Sequence, residues 1–226
     1  MDGGAWQDGL PVDLVIRRSA RARRISLRVS RRDGRVSLTV PLGVPEAEAL
    51  AFARSKADWI AGHQAARPAD IVVQPGATLP ILGQPHVIET GPGRRVTLAR
   101  GVLYVPPGPV GPRIAAFLKA QARDVLAEAS DRYAAALGKP YAQIALRDTR
   151  SRWGSCSSQG RLMYSWRLIM APRPVLDYVA AHEVAHLAHM DHSRAFWATV
   201  ERLYGPYDAP RRWLRDEGGA LHRYIF

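Results

Sequence analysis

The sequence predicts an α+β fold, in which strands and helices occupy largely separate stretches of the chain. Short segments of alternating apolar and polar residues, bounded by Gly and Pro, recur up to residue 105. Beyond residue 109, helical spacing of apolar residues dominates, at 112–137 and again before residue 186. Between them lies the rigid segment Pro106-Pro107-Gly108-Pro109. We therefore divide the chain into an N-terminal β-rich portion with one helix, 1–108, and a core, 109–226, which we expect to form one continuous structural unit.

The composition is that of a globular protein. The chain has 226 residues, of which 47% are hydrophobic and 23% charged. No apolar run is long enough for a membrane span, and the first residues lack the apolar segment of a signal peptide. The single cysteine, Cys156, suits a reducing compartment. We expect a cytoplasmic protein with no membrane partner.

Arginine is concentrated near the N-terminus of a chain whose formal net charge is +12. Nine arginines lie within one short region: Arg17, Arg18, Arg21, Arg23, Arg24, Arg28, Arg31, Arg32 and Arg35. The apolar residues there alternate with polar ones on either side of Asp33-Gly34, which predicts a hairpin with an apolar inner face and an arginine-bearing outer face. A solvated face is the favoured interpretation. The alternative is a surface that binds nucleic acid or another polyanion, although no aromatic residues interleave with the arginines.

The following elements are predicted from periodicity and from Gly and Pro positions. Pro45 and the acidic Glu46 and Glu48 indicate the start of a helix that runs to about His63. A small antiparallel sheet is predicted from strands at 78–82, 86–90, 95–99 and 102–105. A long helix, 112–137, ends at Gly138. Strands are then predicted at 143–150 and 161–168, with a tight turn at 153–156 between them.

The chemistry resides in the motif His182-Glu183-Val184-Ala185-His186. Histidines four residues apart share one face of a helix and can hold one metal ion, while the intervening glutamate can serve as general base for a metal-activated water. Two solvated surface histidines would give the same pattern. The preceding residues 175–181 are mostly apolar, however, so the helix is predicted to be buried, and buried polar groups need a partner. The motif therefore predicts a metal site.

A catalytic zinc site usually takes three protein ligands. On a straight helix His192 would lie on the wrong face, so we expect the chain to break near residues 189–191. Ser193 is a plausible N-cap for a following helix, which supports this break and makes His192 the preferred third ligand. His189 is the rival on an unbroken helix, and Glu201 is a weaker rival from the next helix.

Several further motifs accompany the histidines: Arg152-Trp153-Gly154-Ser155-Cys156-Ser157, Ser165-Trp166-Arg167-Leu168, Ala171-Pro172, Asp177-Tyr178-Val179, His192-Ser193 and Phe196-Trp197. With these motifs the sequence resembles the YgjP-like metallopeptidase family, which is related to the SprT-like zinc proteases. The resemblance is strong over about 145–200 and extends to about residue 14. It implies a zinc-dependent hydrolase with one zinc per chain, ligands His182, His186 and His192, and Glu183 as catalytic base. The usual Leu after the motif's Glu is Val184 here.

Zinc peptidases of this general design bind an extended substrate along an edge strand beside the metal helix. We therefore expect residues 152–166 to line the cleft, with Arg152, Trp153 and Tyr164 as substrate-binding candidates, although a core position is favoured over a cleft position for Trp153. Tyr178, one turn before His182, is a further candidate. A nucleophilic role for Cys156 is disfavoured because no histidine neighbours it in sequence.

These observations lead to one main hypothesis and two alternatives. We expect a zincin-like metallohydrolase core, with the metal helix packed on a small, mostly antiparallel sheet, that hydrolyses an unidentified peptide or protein substrate. The first alternative is a zinc-dependent hydrolase of a non-peptide acidic substrate such as a nucleotide. The second is a nucleic-acid-associated module with a structural metal, against which the intact Glu183 argues.

Overall fold

The computed structural model describes residues 6–7, 9–11, 14–30, 34–66 and 69–226. They fall into two compact units, Met1–Ala69 and Asp70–Phe226. The sequence placed a boundary after Gly108, whereas residues 70–108 share a unit with the residues that follow them.

The first unit combines short strands with two helices. Its described elements are β1 (Trp6–Gln7), β2 (Leu10–Pro11), β3 (Val15–Ser19), β4 (Ser26–Val29), β5 (Val36–Pro41), α1 (Glu46–Arg54) and α2 (Ala57–Ala65). Strand β5 is central, with β3 parallel to it on one side and β4 antiparallel on the other. The predicted pairing of β4 with β5 is confirmed, while Asp33 of the predicted turn lies outside the described residues.

The sheet of the first unit has one apolar face. Val36, Leu38 and Val40 of β5 are fully buried, and Leu38 and Val40 pack with Ala49 and Ala53 of α1. The predicted single helix over 46–63 is wrong, because Ser55 and Lys56 separate α1 from α2. The Ser55 hydroxyl donates to the Phe52 carbonyl at 2.8 Å, and Lys56 leaves the helical backbone conformation. A side chain that bonds to its own backbone in this way competes with helix continuation.

The second unit carries the long helix and the histidine motif. Its elements are β6 (Ile71–Val72), β7 (Thr78–Ile81), β8 (Gln84–Thr90), β9 (Thr97–Ala99), β10 (Val102–Val105), α3 (Val110–Leu137), β11 (Gln143–Arg147), β12 (Gly154–Cys156), β13 (Arg161–Ser165), a 3₁₀ helix (Trp166–Met170), α4 (Arg173–Ala185), α5 (Arg194–Tyr204), α6 (Asp208–Asp216), a second 3₁₀ helix (Gly218–His222) and β14 (Tyr224–Ile225).

Strands β7 to β10 form one sheet in the order β7-β8-β10-β9. The β7–β8 and β9–β10 pairs are antiparallel, as predicted for the whole sheet. The prediction is wrong for the central pair, because β10 runs parallel to β8 and leaves β9 at the edge.

Helix α3 forms the centre of the second unit. Its buried residues recur at helical spacing, among them Ile114, Leu118, Ala122 and Leu126. The helix packs against α4 and against the first 3₁₀ helix. Gly138 ends it in the left-handed conformation, with φ 73°, which confirms the predicted C-cap.

A three-stranded sheet of order β11-β13-β12 lies beside the histidine helix. It is mixed and not mostly antiparallel, since β11 runs parallel to β13 and only β12 is antiparallel. The tight turn predicted at 153–156 is wrong, because Gly154–Cys156 is strand β12. The turn is made further on, where Gly160 adopts φ 71° and donates to the Ser157 carbonyl at 2.9 Å.

Arg167 connects the C-terminal segment to the rest of the second unit through hydrogen bonds. Its buried guanidinium donates to both carboxylate oxygens of Asp148, at 2.6 and 3.1 Å. It also donates to the carbonyls of Leu221 and Tyr224, at 2.9 and 3.1 Å.

The predicted α+β class is confirmed, since the described residues form six α-helices and several small sheets. In the described part of the chain, no helix has both the length and the apolar character that a membrane span requires.

Candidate metal centre

Helix α4 places the first two histidines on one side of a largely buried element. Pro172 precedes the helix and Pro174 lies in its first turn, where a missing backbone N–H costs nothing. Most residues from Val175 to Ala185 are buried. His182 lies in the last turn, and His186 caps the C-terminus with a backbone that is still helical, so the two imidazoles keep their shared face.

The chain turns sharply after α4, which brings the third histidine back. The helix ends at Ala185, earlier than the predicted break at 189–191, and residues 187–189 form a tight turn whose N–H groups donate to Val184 and Ala185 carbonyls. Ser193 then caps α5, accepting a hydrogen bond from the Phe196 N–H at 3.4 Å. The predicted N-cap is therefore confirmed.

The three imidazoles of His182, His186 and His192 converge. One ring nitrogen from each lies within 4.8 Å of the others, and His182 Nε2 is 3.1 Å from His192 Nε2. Tetrahedral coordination with metal–nitrogen bonds of about 2.0–2.1 Å separates two ligand nitrogens by about 3.3 Å. The spacing and the donor set therefore fit one zinc-like ion. Among the described residues, neither His189 nor Glu201 joins this group.

Hydrogen bonding and burial prepare the imidazoles for metal binding. His186 Nδ1 lies 2.9 Å from the His189 carbonyl, to which it can only donate, so Nε2 is left as its free acceptor atom. The backbone of His189 thus orients a neighbouring ring. Burial, followed by the nearby charges of His186, His192 and Arg211, lowers the pKa of His182 to about 3. Burial also lowers the pKa of His186. Both rings are accordingly neutral near pH 7, as metal ligation requires.

Glu183 follows His182 in the sequence and is almost inaccessible to solvent. The residue is 5% exposed, and burial raises the pKa of its carboxyl group to about 8 although the positive charge of Arg152 acts in the opposite direction. A Cβ added to Gly154 would lie 2.5 Å from Glu183 Oε1. The carboxylate is therefore pressed against the backbone of edge strand β12.

Two aromatic residues of α5, Phe196 and Trp197, pack against the imidazole rings of the histidines. The Phe196 ring stacks on His186, with centroids 4.4 Å apart, and meets His182 and His192 edge-on at 4.9 and 4.8 Å. Trp197 lies 5.8 Å from His192, and the Arg211 guanidinium covers it at 4.6 Å. Sequence reasoning did not assign Phe196 and Trp197 to the site. Their positions three and four residues after the Ser193 cap were the available signal.

The four predicted substrate-binding residues have different environments. Arg152 is exposed and close enough to Glu183 to affect its pKa. Trp153 is half-buried, with its ring 5.2 Å from that of His222. Tyr164 is fully buried, and its hydroxyl lies 3.0 Å from Ser130 Oγ, so its placement does not support a substrate contact.

Tyr178 is also buried, and its ring meets that of His182 edge-on at 5.9 Å. It packs against a metal-ligand candidate, and its burial does not support a direct substrate contact. Cys156 lies on β12, where burial and then the negative charge of Glu183 raise the pKa of its thiol to about 11. The thiol is therefore protonated near pH 7, which agrees with the disfavoured nucleophilic role.

Comparison with known proteins gives two matches. A family model described as YgjP-like, metallopeptidase domain, matches residues 23–217. Among solved structures, the crystal structure of the metallopeptidase zymogen of Pyrococcus abyssi abylysin is 21% identical and covers 43% of this chain and 95% of its own, with a TM-score of 0.35. No curated protein matches the chain.

Proposed function

Because the chain belongs to the YgjP-like metallopeptidase family, we propose that this metal-dependent peptidase uses zinc, with His182, His186 and His192 as ligands and Glu183 as general base. The observation that carries the proposal is the convergence of three imidazoles, from α4 and the segment before α5, next to the buried carboxyl group of Glu183. A purely structural metal needs no base beside it, which favours catalysis. The proposed core is zincin-like.

The groups around the metal position have different roles in hydrolysis. Zinc, when bound, supplies a water molecule of lowered pKa and polarises the scissile carbonyl. Glu183 accepts the proton of that water and passes it to the leaving amine. A carboxylate suits both transfers when its pKa is close to the working pH, and burial moves the pKa of Glu183 in that direction. Phe196 excludes water from one side of the histidines.

Strand β12 is the proposed binding surface for an extended peptide. It lies at the edge of its sheet and, among the described residues, pairs only with β13, so its other side offers main-chain donors and acceptors. Since Gly154 touches Glu183, a peptide paired with this strand passes the catalytic carboxylate. Pairing through the main chain supplies affinity with little demand on substrate sequence. Exposed Arg152 is the substrate-contact candidate that this arrangement retains, with half-buried Trp153 next to it.

The decisive experiment compares wild type with Glu183→Gln, which preserves size but accepts no proton. Both proteins are incubated with unfolded casein, a peptide library and a nucleotide panel, and bound zinc is measured. Glu201→Gln, at an exposed position on α5, is the matched control. We expect peptide cleavage to fall about 10²–10⁴-fold in Glu183→Gln with zinc retained, and to be unchanged in the control.

Two other outcomes would contradict the proposal. Undiminished peptide cleavage in Glu183→Gln would remove the glutamate from the mechanism. Nucleotide hydrolysis that is lost in the same variant, without any peptide cleavage by wild type, would assign the site to a non-peptide acidic substrate.

A further inference from the structure

The sheet of the first unit has a polar face opposite its apolar one. In the β3–β5 and β4–β5 registers, Arg17 lies beside Thr39 and Arg28 beside Ser37. Side chains directly opposite one another on neighbouring strands share a face. The buried Leu38 alternates with Ser37 and Thr39, so both arginines lie on the face away from the core. We call this surface the arginine face, formed by Arg17, Ser26, Arg28, Ser37 and Thr39, with Arg24 just before β4.

Within the described part of the chain, the guanidinium groups of the arginine face form no ion pair. Arg17, Arg24 and Arg28 are exposed, and among the described residues none of the three has an ion-pair partner. Between Leu14 and Pro41 the sequence contains nine arginines and one acidic residue, Asp33. Like charges gathered on a small sheet repel one another and destabilise the folded state. A polyanionic partner would remove that repulsion.

The dimensions of the arginine face suit two rows of phosphates. Strands β3 and β4 flank β5, so Arg17 and Arg28 project from backbones about 10 Å apart. The grooves of B-form DNA are about 6 and 12 Å wide, so such side chains can reach phosphates on both borders of a groove. The serine and threonine hydroxyls between them are short, which lets a backbone approach closely and offers further donors to phosphate oxygens.

We propose that the arginine face binds the phosphate backbone of duplex nucleic acid without sequence preference. The three strands β3, β4 and β5 contain no aromatic residue on which an unpaired base could stack, which favours a duplex over a single strand. Among the described residues of its three strands, the face offers only Val15 and Pro41 as apolar contacts, fewer than a protein partner usually requires. Guanidinium groups match phosphate oxygens in geometry and charge.

The test measures binding of the full chain to a fluorescent 20-base-pair DNA duplex over a range of salt concentrations. The variant Arg17→Gln/Arg24→Gln/Arg28→Gln removes three phosphate contacts. Each contact contributes about 0.9 to the slope of log K against log salt, so we expect the slope to fall by about 2.7. The matched control Arg94→Gln/Arg95→Gln/Arg212→Gln removes the same charge from exposed positions of the second unit and should keep the wild-type slope.

Each other outcome overturns the proposal. An absence of binding by wild type at low salt would leave the arginine face as a solvated surface. An equal loss in both triple variants would make net charge responsible and not this face. Tighter binding of a single strand than of the duplex would exclude the duplex backbone as the ligand. Binding of polyglutamate with the same affinity and slope would indicate an acidic protein partner. Circular dichroism of both variants verifies that they are folded.

Discussion

Gly154 of strand β12 and Glu183 of helix α4 touch so closely that no side chain fits between them. A Cβ at position 154 would lie 2.5 Å from Glu183 Oε1 and 2.7 Å from Cδ, well inside van der Waals contact. The strand that we propose for substrate and the residue that we propose as base are thus packed against each other. Glycine at this position lets the carboxylate lie at the level of the strand.

Replacing Gly154 by alanine should therefore displace Glu183. The buried carboxylate must move by about 1 Å or more to accept the new methyl group, and a shift of that size can reduce catalysis about 100-fold. We expect kcat/KM for a peptide to fall by that order while the zinc content stays at the wild-type level.

The matched control for this prediction is Gly219→Ala. A Cβ at that position meets no atom within 4 Å, and its backbone does not adopt a positive φ. If Gly154→Ala retained full activity, the position of Glu183 relative to β12 would not matter for catalysis.

Metal content separates the two candidates for the third ligand. His192 contributes its imidazole to the cluster, whereas His189 contributes a backbone carbonyl that orients His186. The variant His192→Ala should lose most of its zinc, because two ligands are left, and His189→Ala should keep about one zinc per chain. Elemental analysis of the purified proteins measures this. Full retention in His192→Ala together with loss in His189→Ala would reverse the assignment.

The sequence predicted the histidine motif well because its geometry is local. The spacing of His182 and His186 on one helix determines their common face regardless of the remaining fold. The return of His192 could also be predicted, since Ser193 carries a recognisable cap signal. The place where α4 ends was harder to predict, because the turn at 187–189 contains no glycine or proline.

Contacts between residues far apart in the chain could not be predicted from the sequence. The parallel pairing of β8 with β10 depends on how residues 91–96 cross the sheet, which alternation of apolar residues does not reveal. Likewise, Gly154 in the sequence Trp-Gly-Ser-Cys resembles a turn residue, and only its contact with Glu183 explains the glycine. Tyr164 was a substrate candidate because an inward-facing strand residue cannot be distinguished by sequence from one that faces a cleft.

Tyr164 offers a test that separates packing from substrate binding. Its hydroxyl shares a buried hydrogen bond with Ser130, so Tyr164→Phe leaves the Ser130 hydroxyl without that partner. We expect the free energy of unfolding, measured by urea denaturation, to fall by about 1–2 kcal/mol. KM for a peptide should not change.

A double variant checks the origin of that loss. Ser130→Ala in the Tyr164→Phe background removes both partners, and we expect it to be less destabilised than the sum of the single variants. A rise of KM in Tyr164→Phe at unchanged stability would return Tyr164 to the substrate-binding residues.

The ion pair of Asp148 with Arg167 should make stability depend on pH. Burial acts to raise the pKa of Asp148, but the hydrogen bonds and positive charge of Arg167 outweigh it, and the pKa ends below its ordinary value. A carboxyl group whose pKa is lower in the folded state stabilises the fold above its unfolded pKa of about 3.9 and loses that contribution as pH falls through the folded pKa.

The variant Asp148→Asn lacks this titration and leaves the buried Arg167 without its anion. At pH 7 we expect Asp148→Asn to unfold at lower urea concentration than wild type, with a loss of about 1–2 kcal/mol because Asp148 is half-exposed and screened by water. Between pH 5 and pH 2 the two proteins should converge, since wild type loses the contribution that the variant never had. Asp124→Asn, at an exposed position of α3, is the control and should follow wild type at every pH. A stability difference between wild type and Asp148→Asn that stayed constant over this range would show that the carboxylate charge does not hold Arg167, and with it the carbonyls of Leu221 and Tyr224, in place.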